Sequence, residues 1–115
     1  MNYDLEERTA KFGEKIIDFV NSLTKNEVNK IFVNQIVRSA TSIGANYMEA
    51  NQASSKKDFR NKVGICRKEA NETKYWIRMI SKANSDKINE CKNLWKESHE
   101  LLLIFSKIFS SSDKN

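Results

Sequence analysis

Apolar positions recur along the chain in steps of three and four, the spacing that lines one face of an α-helix. Four segments show this pattern, over residues 4–23, 27–52, 56–83 and 87–110, and short polar breaks separate them. The polar tail over residues 111–115 is expected to fray. Four amphipathic segments with short connections predict an all-α fold, an antiparallel up-down-up-down four-helix bundle that forms a single domain over residues 1–115.

The same spacing predicts which side chains of each helix form the core. The second stripe is expected to begin at Val28. In the third segment the predicted core positions are Phe59, Val63, Cys66, Ala70, Thr73, Ile77 and Ile80. In the fourth segment they are Ile88, Cys91, Trp95, Ser98, Leu102, Phe105 and Phe109.

Residues 38–50, with the sequence RSATSIGANYMEA, form an unusually thin part of the second helix. Gly44 within a helix costs roughly 1 kcal/mol relative to alanine, so a packing or functional reason is expected. Small side chains at this point predict a close crossing with a neighbouring helix. We also expect Ser39, Ser42 and Asn46 to form hydrogen bonds with a partner helix.

The net charge of +5 is concentrated in one element. Residues 55–83 hold nine cations and three anions, or +6, so the rest of the chain sums to −1. One flank of the third helix carries a basic stripe, which consists of Arg60, Arg67, Lys74, Arg78 and Lys82. Such a stripe predicts RNA or DNA binding by neutralisation of phosphates, and the alternative is a solvated surface without a ligand.

Further apolar residues lie outside the core stripes and predict an interface between subunits, although a broad core would also bury them. With two acidic residues of the same flank, the predicted interface set is Val33, Val37, Met48, Ile65, Glu69, Glu72, Trp76 and Met79. We expect Glu69 and Glu72 to pair with Arg38 or with another cation on a neighbouring helix or subunit.

The sequence offers no set of residues for catalysis or for a metal ion. His99 is the single histidine, and neither the paired Glu-x-x-His motifs of di-iron bundles nor a glycine-rich phosphate loop occurs. We therefore predict a protein that is not an enzyme and has no cofactor. Cys66 and Cys91 fall on apolar stripes and are expected to be buried thiols. The polar N-terminus and the lack of an apolar run of roughly 20 residues predict a cytoplasmic protein without a membrane partner.

Three blocks of the sequence resemble a known family. RSATSIGANYMEA (residues 38–50), SKKDF (55–59) and KEANETKYWIRMI (68–80) are similar, in this order and spacing, to the four-helix bundle family of 23S rRNA intervening-sequence proteins. The resemblance implies a bacterial bundle without known enzymatic activity that assembles into a ring, typically a pentamer. It also implies a basic surface proposed to bind nucleic acid, and relatives that assist the reverse transcriptase of diversity-generating retroelements.

Together, the residues and the resemblance predict a homo-oligomeric bundle that binds or accompanies RNA or DNA. The alternative is a protein–protein interaction scaffold that does not bind nucleic acid. A protein partner such as a reverse transcriptase fits either interpretation.

Overall fold

Four long helices make up most of the computed structural model, which describes the backbone of residues 2–112 and the side chains of residues 4–112. The helices are α1 (Asn2–Asn21), α2 (Glu27–Asn51), α3 (Lys56–Ala83) and α4 (Ile88–Ser112), and a 3-10 turn (Ser85–Lys87) precedes α4. No strand occurs within residues 2–112. Helix α4 continues to Ser112, so residues 111 and 112 are helical where fraying was expected, and the remainder of that tail lies outside the described residues.

Side chains cap two of the helices at the predicted breaks. Asn26 Oδ1 accepts a hydrogen bond from the backbone N–H of Asn29 at 2.9 Å and caps α2. Ser55 Oγ accepts from the N–H of Asp58 at 3.0 Å and caps α3. Each cap satisfies one of the donors that a helix start leaves unpaired, which explains why these helices begin where they do.

Neighbouring helices run in opposite directions. Along α2 and α3, residue numbers fall on one helix as they rise on the other in the pairs Glu49–Lys62, Ser39–Thr73 and Asn29–Asn84. The same order holds between α3 and α4 in the pairs Arg60–Phe109, Ala70–Ser98 and Lys74–Trp95. Helix α1 packs against α2 and α4, so the four helices surround one core in chain order. The all-α bundle predicted from the sequence is confirmed.

The core stripe of α3 is as predicted, with Val63, Cys66, Ala70, Thr73, Ile77 and Ile80 buried. The prediction for α4 is confirmed at Cys91, Ser98 and Phe105, which are buried. It is wrong at Ile88 and Trp95, which are 40% and 38% exposed, because Leu94 and Leu101 are buried instead. Leu94 and Leu101 fill the centre, and Trp95 and Phe109 lie at the edge that faces α3, where they contact its cations.

Val28, predicted as the first core position of α2, is 51% exposed. The next residue, Asn29, is buried in its place. Its amide forms hydrogen bonds with Thr24 and Asn84 at this end of the bundle, so the core ends in a polar contact. A polar side chain with complete hydrogen bonding is acceptable at such a position.

The thin part of α2 forms the predicted close crossing. A Cβ atom added to Gly44 would lie 3.2 Å from Thr9 Oγ1 and 3.4 Å from Thr9 Cβ, so α1 and α2 approach closely here. Ser39 Oγ lies 2.8 Å from Thr73 Oγ1 and links α2 to α3, as expected. The corresponding prediction for Ser42 and Asn46 is wrong, because Asn46 Nδ2 donates to the carbonyl and hydroxyl of Ser42 within α2, both at 2.9 Å.

Within the part of the chain that the structure describes, no helix combines the length and the apolar character needed to cross a bilayer.

Candidate nucleic-acid interface

The basic stripe of α3 lies along its contact with α4, and its first two cations pack on a single aromatic ring. The guanidinium carbons of Arg60 and Arg67 are 3.8 and 4.1 Å from the centroid of the Phe109 ring. A Cβ atom on Gly64, between the two arginines, would lie 2.9 Å from Phe109 Cε1, so glycine admits the ring to this position. Both arginines therefore make cation–π contacts that hold α3 against α4.

Lys74, the third cation of the stripe, is also held by aromatic side chains of α4. Its Nζ lies 4.4 Å from the centroid of the Trp95 ring and 2.9 Å from His99 Nδ1. The Trp95 and His99 rings stack with centroids 5.1 Å apart and planes tilted by 16°. These contacts hold the Lys74 ammonium group against the Trp95 indole and the His99 ring.

The last two cations, Arg78 and Lys82, are exposed and border a groove of about 640 Å³ between the end of α3 and the start of α4. Its lining consists of Ile77, Arg78, Ser81, Lys82, Ser85, Ile88, Cys91, Lys92 and Trp95. Lys92 adds a third cation, and the lining contains no carboxylate. Within residues 4–112, these three cations make no ion pair. We call this feature the basic groove.

Lys92, Trp95 and His99 were not predicted from the sequence as residues of the candidate site. Trp95 was predicted in the core, where Leu94 and Leu101 lie instead. The sequence contained one usable signal: Lys92 and Lys96 are four residues apart, as are Trp95 and His99, so all four lie on one side of α4. A basic and aromatic stripe on α4 therefore faces the basic stripe of α3.

The predicted interface residues fall on two different parts of the surface. Val33 and Val37 are half-buried against the core and Met48 is 59% exposed, all three on the side of α2 that faces α1. The others belong to α3, where Ile65 is 37% exposed and Met79 is half-buried. Trp76 is half-buried, and its ring centroid lies 6.2 Å from that of Phe32. The predicted set is therefore divided between α2 and α3, and the interface stays a prediction.

The pairing of Arg38 with Glu69 and Glu72 occurs within one chain. Arg38 Nη1 lies 3.2 Å from each carboxylate oxygen of Glu69, and Arg38 Nη2 contacts Glu72 Oε2. Trp76 Nε1 donates to the same Glu72 oxygen at 2.8 Å. The hydrogen bond from Trp76, together with Arg38, lowers the pKa of Glu72. Both glutamates are therefore engaged between α2 and α3 of the same subunit.

A second groove, between α1 and α2, has the opposite character. Its volume is about 470 Å³, and small residues at the close crossing form its floor. Ile17 and Met48 are 41% and 59% exposed at its sides. The acidic residues on its rim are Glu6, Glu7 and Glu14. We call it the acidic groove.

Neither cysteine is available for chemistry at the surface. Cys66 and Cys91 are buried free thiols. Burial raises the pKa of Cys66 to about 12 and raises the pKa of Cys91 as well. Among the described residues, no group of three or more histidine, cysteine, aspartate or glutamate side chains is placed to hold a metal ion.

Comparison with known proteins identifies the family. The family model described as 23S rRNA-intervening sequence protein matches residues 1–107. The chain belongs to this family. The crystal structure of a protein of unknown function from the S23 ribosomal protein family of Bacteroides thetaiotaomicron VPI-5482 is similar, with 32% identity and a TM-score of 0.83. The similarity covers 95% of this chain and 97% of that one. No curated protein matches the chain.

The family predicted from three sequence blocks is thus confirmed, and the match extends well beyond those blocks. All of the basic groove lies within the matched residues 1–107. Phe109, which anchors Arg60 and Arg67, lies just outside them.

Proposed function

We propose that this 23S rRNA-intervening sequence protein is a non-enzymatic homo-oligomer that binds RNA or DNA through the side formed by α3 and α4. The observation that carries the proposal is the basic groove, where Arg78, Lys82 and Lys92 surround a depression without a carboxylate. Cations that lack an ion pair attract phosphate groups and release counterions when they bind.

The packed cations support the same surface in a different way. Arg60, Arg67 and Lys74 lie on aromatic rings and extend the positive charge along the whole of α3. A guanidinium on a ring keeps its charge and its remaining N–H donors, so it attracts phosphate while it stabilises the bundle. The basic groove is therefore one end of a longer basic surface.

Assembly into a ring would multiply this surface. One subunit presents a single copy of the basic groove, whereas several copies increase the effective affinity for a long nucleic acid. Large apolar side chains that are exposed outside the basic groove support assembly, and among the described residues they are Ile17, Val28, Ile31, Met48, Ile65, Tyr75 and Leu103. We propose a ring, as the family resemblance implies, with the basic surfaces facing the nucleic acid.

Light scattering coupled to size exclusion tests the assembly and the binding together. The protein is run alone and with a short RNA or single-stranded DNA, at about 50 and about 300 mM salt, because phosphate contacts weaken steeply over this range. We expect a discrete oligomer that shifts with nucleic acid at low salt only. A monomer would overturn the assembly, and an oligomer that ignores nucleic acid at both salt concentrations would overturn the binding.

Two charge-reversal variants test which surface of the protein binds nucleic acid. The variant Arg78→Glu/Lys82→Glu/Lys92→Glu should lose binding at low salt. Its control, Lys15→Glu/Lys25→Glu/Lys30→Glu, makes the same change in net charge at exposed lysines of α1, the following loop and α2. We expect the control to keep most of its affinity. Equal losses in the two variants would mean that net charge, and not this surface, drives binding.

The second candidate is a protein-interaction scaffold that does not bind nucleic acid. The acidic groove favours it, because exposed Ile17 and Met48 lie beside an acidic rim that suits a basic, amphipathic segment of a partner such as a reverse transcriptase. Ile17→Asp should abolish such an interaction and leave nucleic-acid binding intact. If Ile17→Asp instead lost nucleic-acid binding and kept the protein interaction, the acidic groove would belong to the nucleic-acid complex.

A further inference from the structure

The basic groove contains an aromatic ring as well as cations. The indole of Trp95 is 38% exposed and borders the groove. An exposed Trp ring leaves apolar surface in contact with water, which is unfavourable. Here the ring lies beside three cations that form no ion pair within the part of the chain that the structure describes. Aromatic faces between cations are the arrangement that proteins use to bind unpaired bases.

The two sides of the Trp95 ring differ in their surroundings. His99 stacks on the ring at 5.1 Å, and it lies one turn further along α4. The α4 residues of the groove, Ile88, Cys91 and Lys92, lie before Trp95 in the same helix. The groove borders Trp95 but is lined by neither Lys74 nor His99, and its volume of about 640 Å³ is within the usual range of ligand pockets.

Lys74 contacts both of the stacked rings, Trp95 and His99. Lys74 Nζ contacts both the indole, at 4.4 Å, and His99 Nδ1, at 2.9 Å. The other aromatic ring of this side, Phe109, has no such open face, because Arg60 and Arg67 both pack on it. Of these two aromatic sites, the one at Trp95 has room for a planar ligand.

We propose that the basic groove binds single-stranded nucleic acid, with one unpaired base stacked on Trp95 and the adjacent phosphates on Arg78, Lys82 and Lys92. This inference rests on the proposed function and gives it a strand preference. A stacked base must leave its duplex partner, so single strands bind more tightly than duplexes. Stacking accepts any base, so little sequence preference is expected.

The test compares three probes of equal length, about 12 nucleotides, which fits the site sizes of single-strand binders. They are a single-stranded oligonucleotide as RNA or DNA, the DNA duplex, and an abasic DNA strand that keeps the phosphates without bases. Fluorescence anisotropy at low salt gives the affinity of the full-length oligomer for each probe. We expect the single strand to bind at least about 10-fold more tightly than the abasic strand.

Variants of Trp95 separate stacking from structure. Trp95→Leu keeps an apolar side chain without a π face and should lower affinity for the single strand about 10-fold, with no change for the abasic strand. Trp95→Phe keeps a π face and should restore most of the affinity. Circular dichroism and thermal unfolding confirm that both variants are folded.

Intrinsic fluorescence gives an independent measurement. The variant Trp76→Phe leaves Trp95 as the single tryptophan. Adding an unlabelled single strand should quench its fluorescence, and the abasic strand should not. This readout requires direct contact and does not depend on a loss of stability.

The outcomes distinguish this inference from the proposed function. Equal affinities for the single and abasic strands, together with an unchanged Trp95→Leu variant, would overturn base stacking while leaving phosphate binding intact. No binding of any probe to the wild type at low salt would overturn both. Tighter binding of the duplex than of the single strand would also overturn the stacked base.

Discussion

Asn29 and Asn84 exchange two hydrogen bonds at one end of the bundle. Asn29 Nδ2 donates to Asn84 Oδ1 at 3.0 Å, and Asn84 Nδ2 donates to Asn29 Oδ1 at 2.8 Å. The second hydrogen of each amide reaches a backbone carbonyl, of Thr24 and Ile80 respectively. Both side chains are buried, so this reciprocal pair joins α2 to the turn after α3 with its amide donors satisfied.

Removing one member of this pair should destabilise the bundle. Asn29→Ala leaves a buried amide without its partner, and we expect the free energy of unfolding to fall by about 1–3 kcal/mol. The double variant Asn29→Leu/Asn84→Leu replaces both partners with apolar groups and should cost less than the sum of the two single leucine variants. Urea unfolding measures both. Additive losses would show that the two amides stabilise the bundle independently.

The glycines of the α1–α2 crossing should respond differently to substitution. A Cβ on Gly13 would lie 3.6 Å from Thr41 Cγ2, an ordinary contact, so Gly13→Ala should gain up to about 1 kcal/mol from helix propensity. Gly44 faces buried Thr9 at 3.2 Å, and Gly44→Val should destabilise by about 1–3 kcal/mol through overpacking. Thermal unfolding compares the two variants. A stabilised Gly44→Val variant would mean that the crossing has spare room.

The helices and the core of α3 could be predicted from the sequence, because its stripe continues for six buried residues, whereas acidic residues interrupt the flank beside it. In α4, Trp95 and Leu102 alternate with Leu94 and Leu101, and apolar spacing alone does not decide which pair faces the centre. Periodicity does not fix the rotation of a helix about its axis closely enough to choose between two adjoining apolar stripes. That uncertainty placed Trp95 in the core and removed it from the candidate site.

The contacts of Arg38 with Glu69 and Glu72 were predicted, but most other contacts between distant segments were not. The Asn29–Asn84 pair and the placement of Arg60 and Arg67 on Phe109 depend on how helices are offset along their axes. Nothing in the spacing of one helix encodes that offset. Asparagine is frequent in this chain, so the two buried asparagines had no distinguishing mark in the sequence.

Both thiols should resist modification in the native protein. Burial raises the pKa of Cys66 to about 12, and its Sγ donates to the carbonyl of Ile43 at 3.4 Å. At pH 8 the thiol is protonated, and the thiolate is the reactive form. We expect Ellman's reagent to titrate neither cysteine in the native state and both in guanidinium chloride. Rapid reaction of the native protein, lost in Cys66→Ser, would contradict the burial of Cys66.

Glu72 should contribute to the acid sensitivity of the fold. The hydrogen bond from Trp76, with Arg38, holds its pKa below the ordinary value of 4.5. A lowered native pKa means that this stabilisation is present above the pKa of the unfolded chain and is lost as the pH falls through the native pKa. Because the carboxylate is 38% exposed, Glu72→Gln should cost less than about 1 kcal/mol at neutral pH.

Urea unfolding between about pH 3 and pH 7 measures this contribution. Glu72→Gln removes the titrating group, so the loss of stability on acidification should become less steep. Trp76→Phe removes the hydrogen-bond donor and should have a similar, smaller effect. Equal slopes in the wild type and in both variants would show that Glu72 does not contribute.

The cations of α3 should separate into a structural pair and a binding pair. Arg60→Glu and Arg67→Glu each lose a contact with the Phe109 ring, which should cost about 1 kcal/mol of folding stability. Arg78→Glu and Lys82→Glu change exposed side chains and should alter stability by less than about 0.5 kcal/mol. Urea unfolding gives the stabilities, and anisotropy with a single-stranded oligonucleotide gives the affinities.

A double-mutant cycle with Phe109→Leu tests whether contact with the Phe109 ring is the reason that Arg67 stabilises the fold. If the ring supplies the favourable contact, Arg67→Glu should cost less in the Phe109→Leu background than in the wild type. An equal cost in both backgrounds would assign the stability of Arg67 to its aliphatic stem instead. We expect Arg78→Glu and Lys82→Glu to lose affinity at unchanged stability, and such a loss reports directly on the basic groove. Unchanged affinity in both variants would contradict the role of the basic groove.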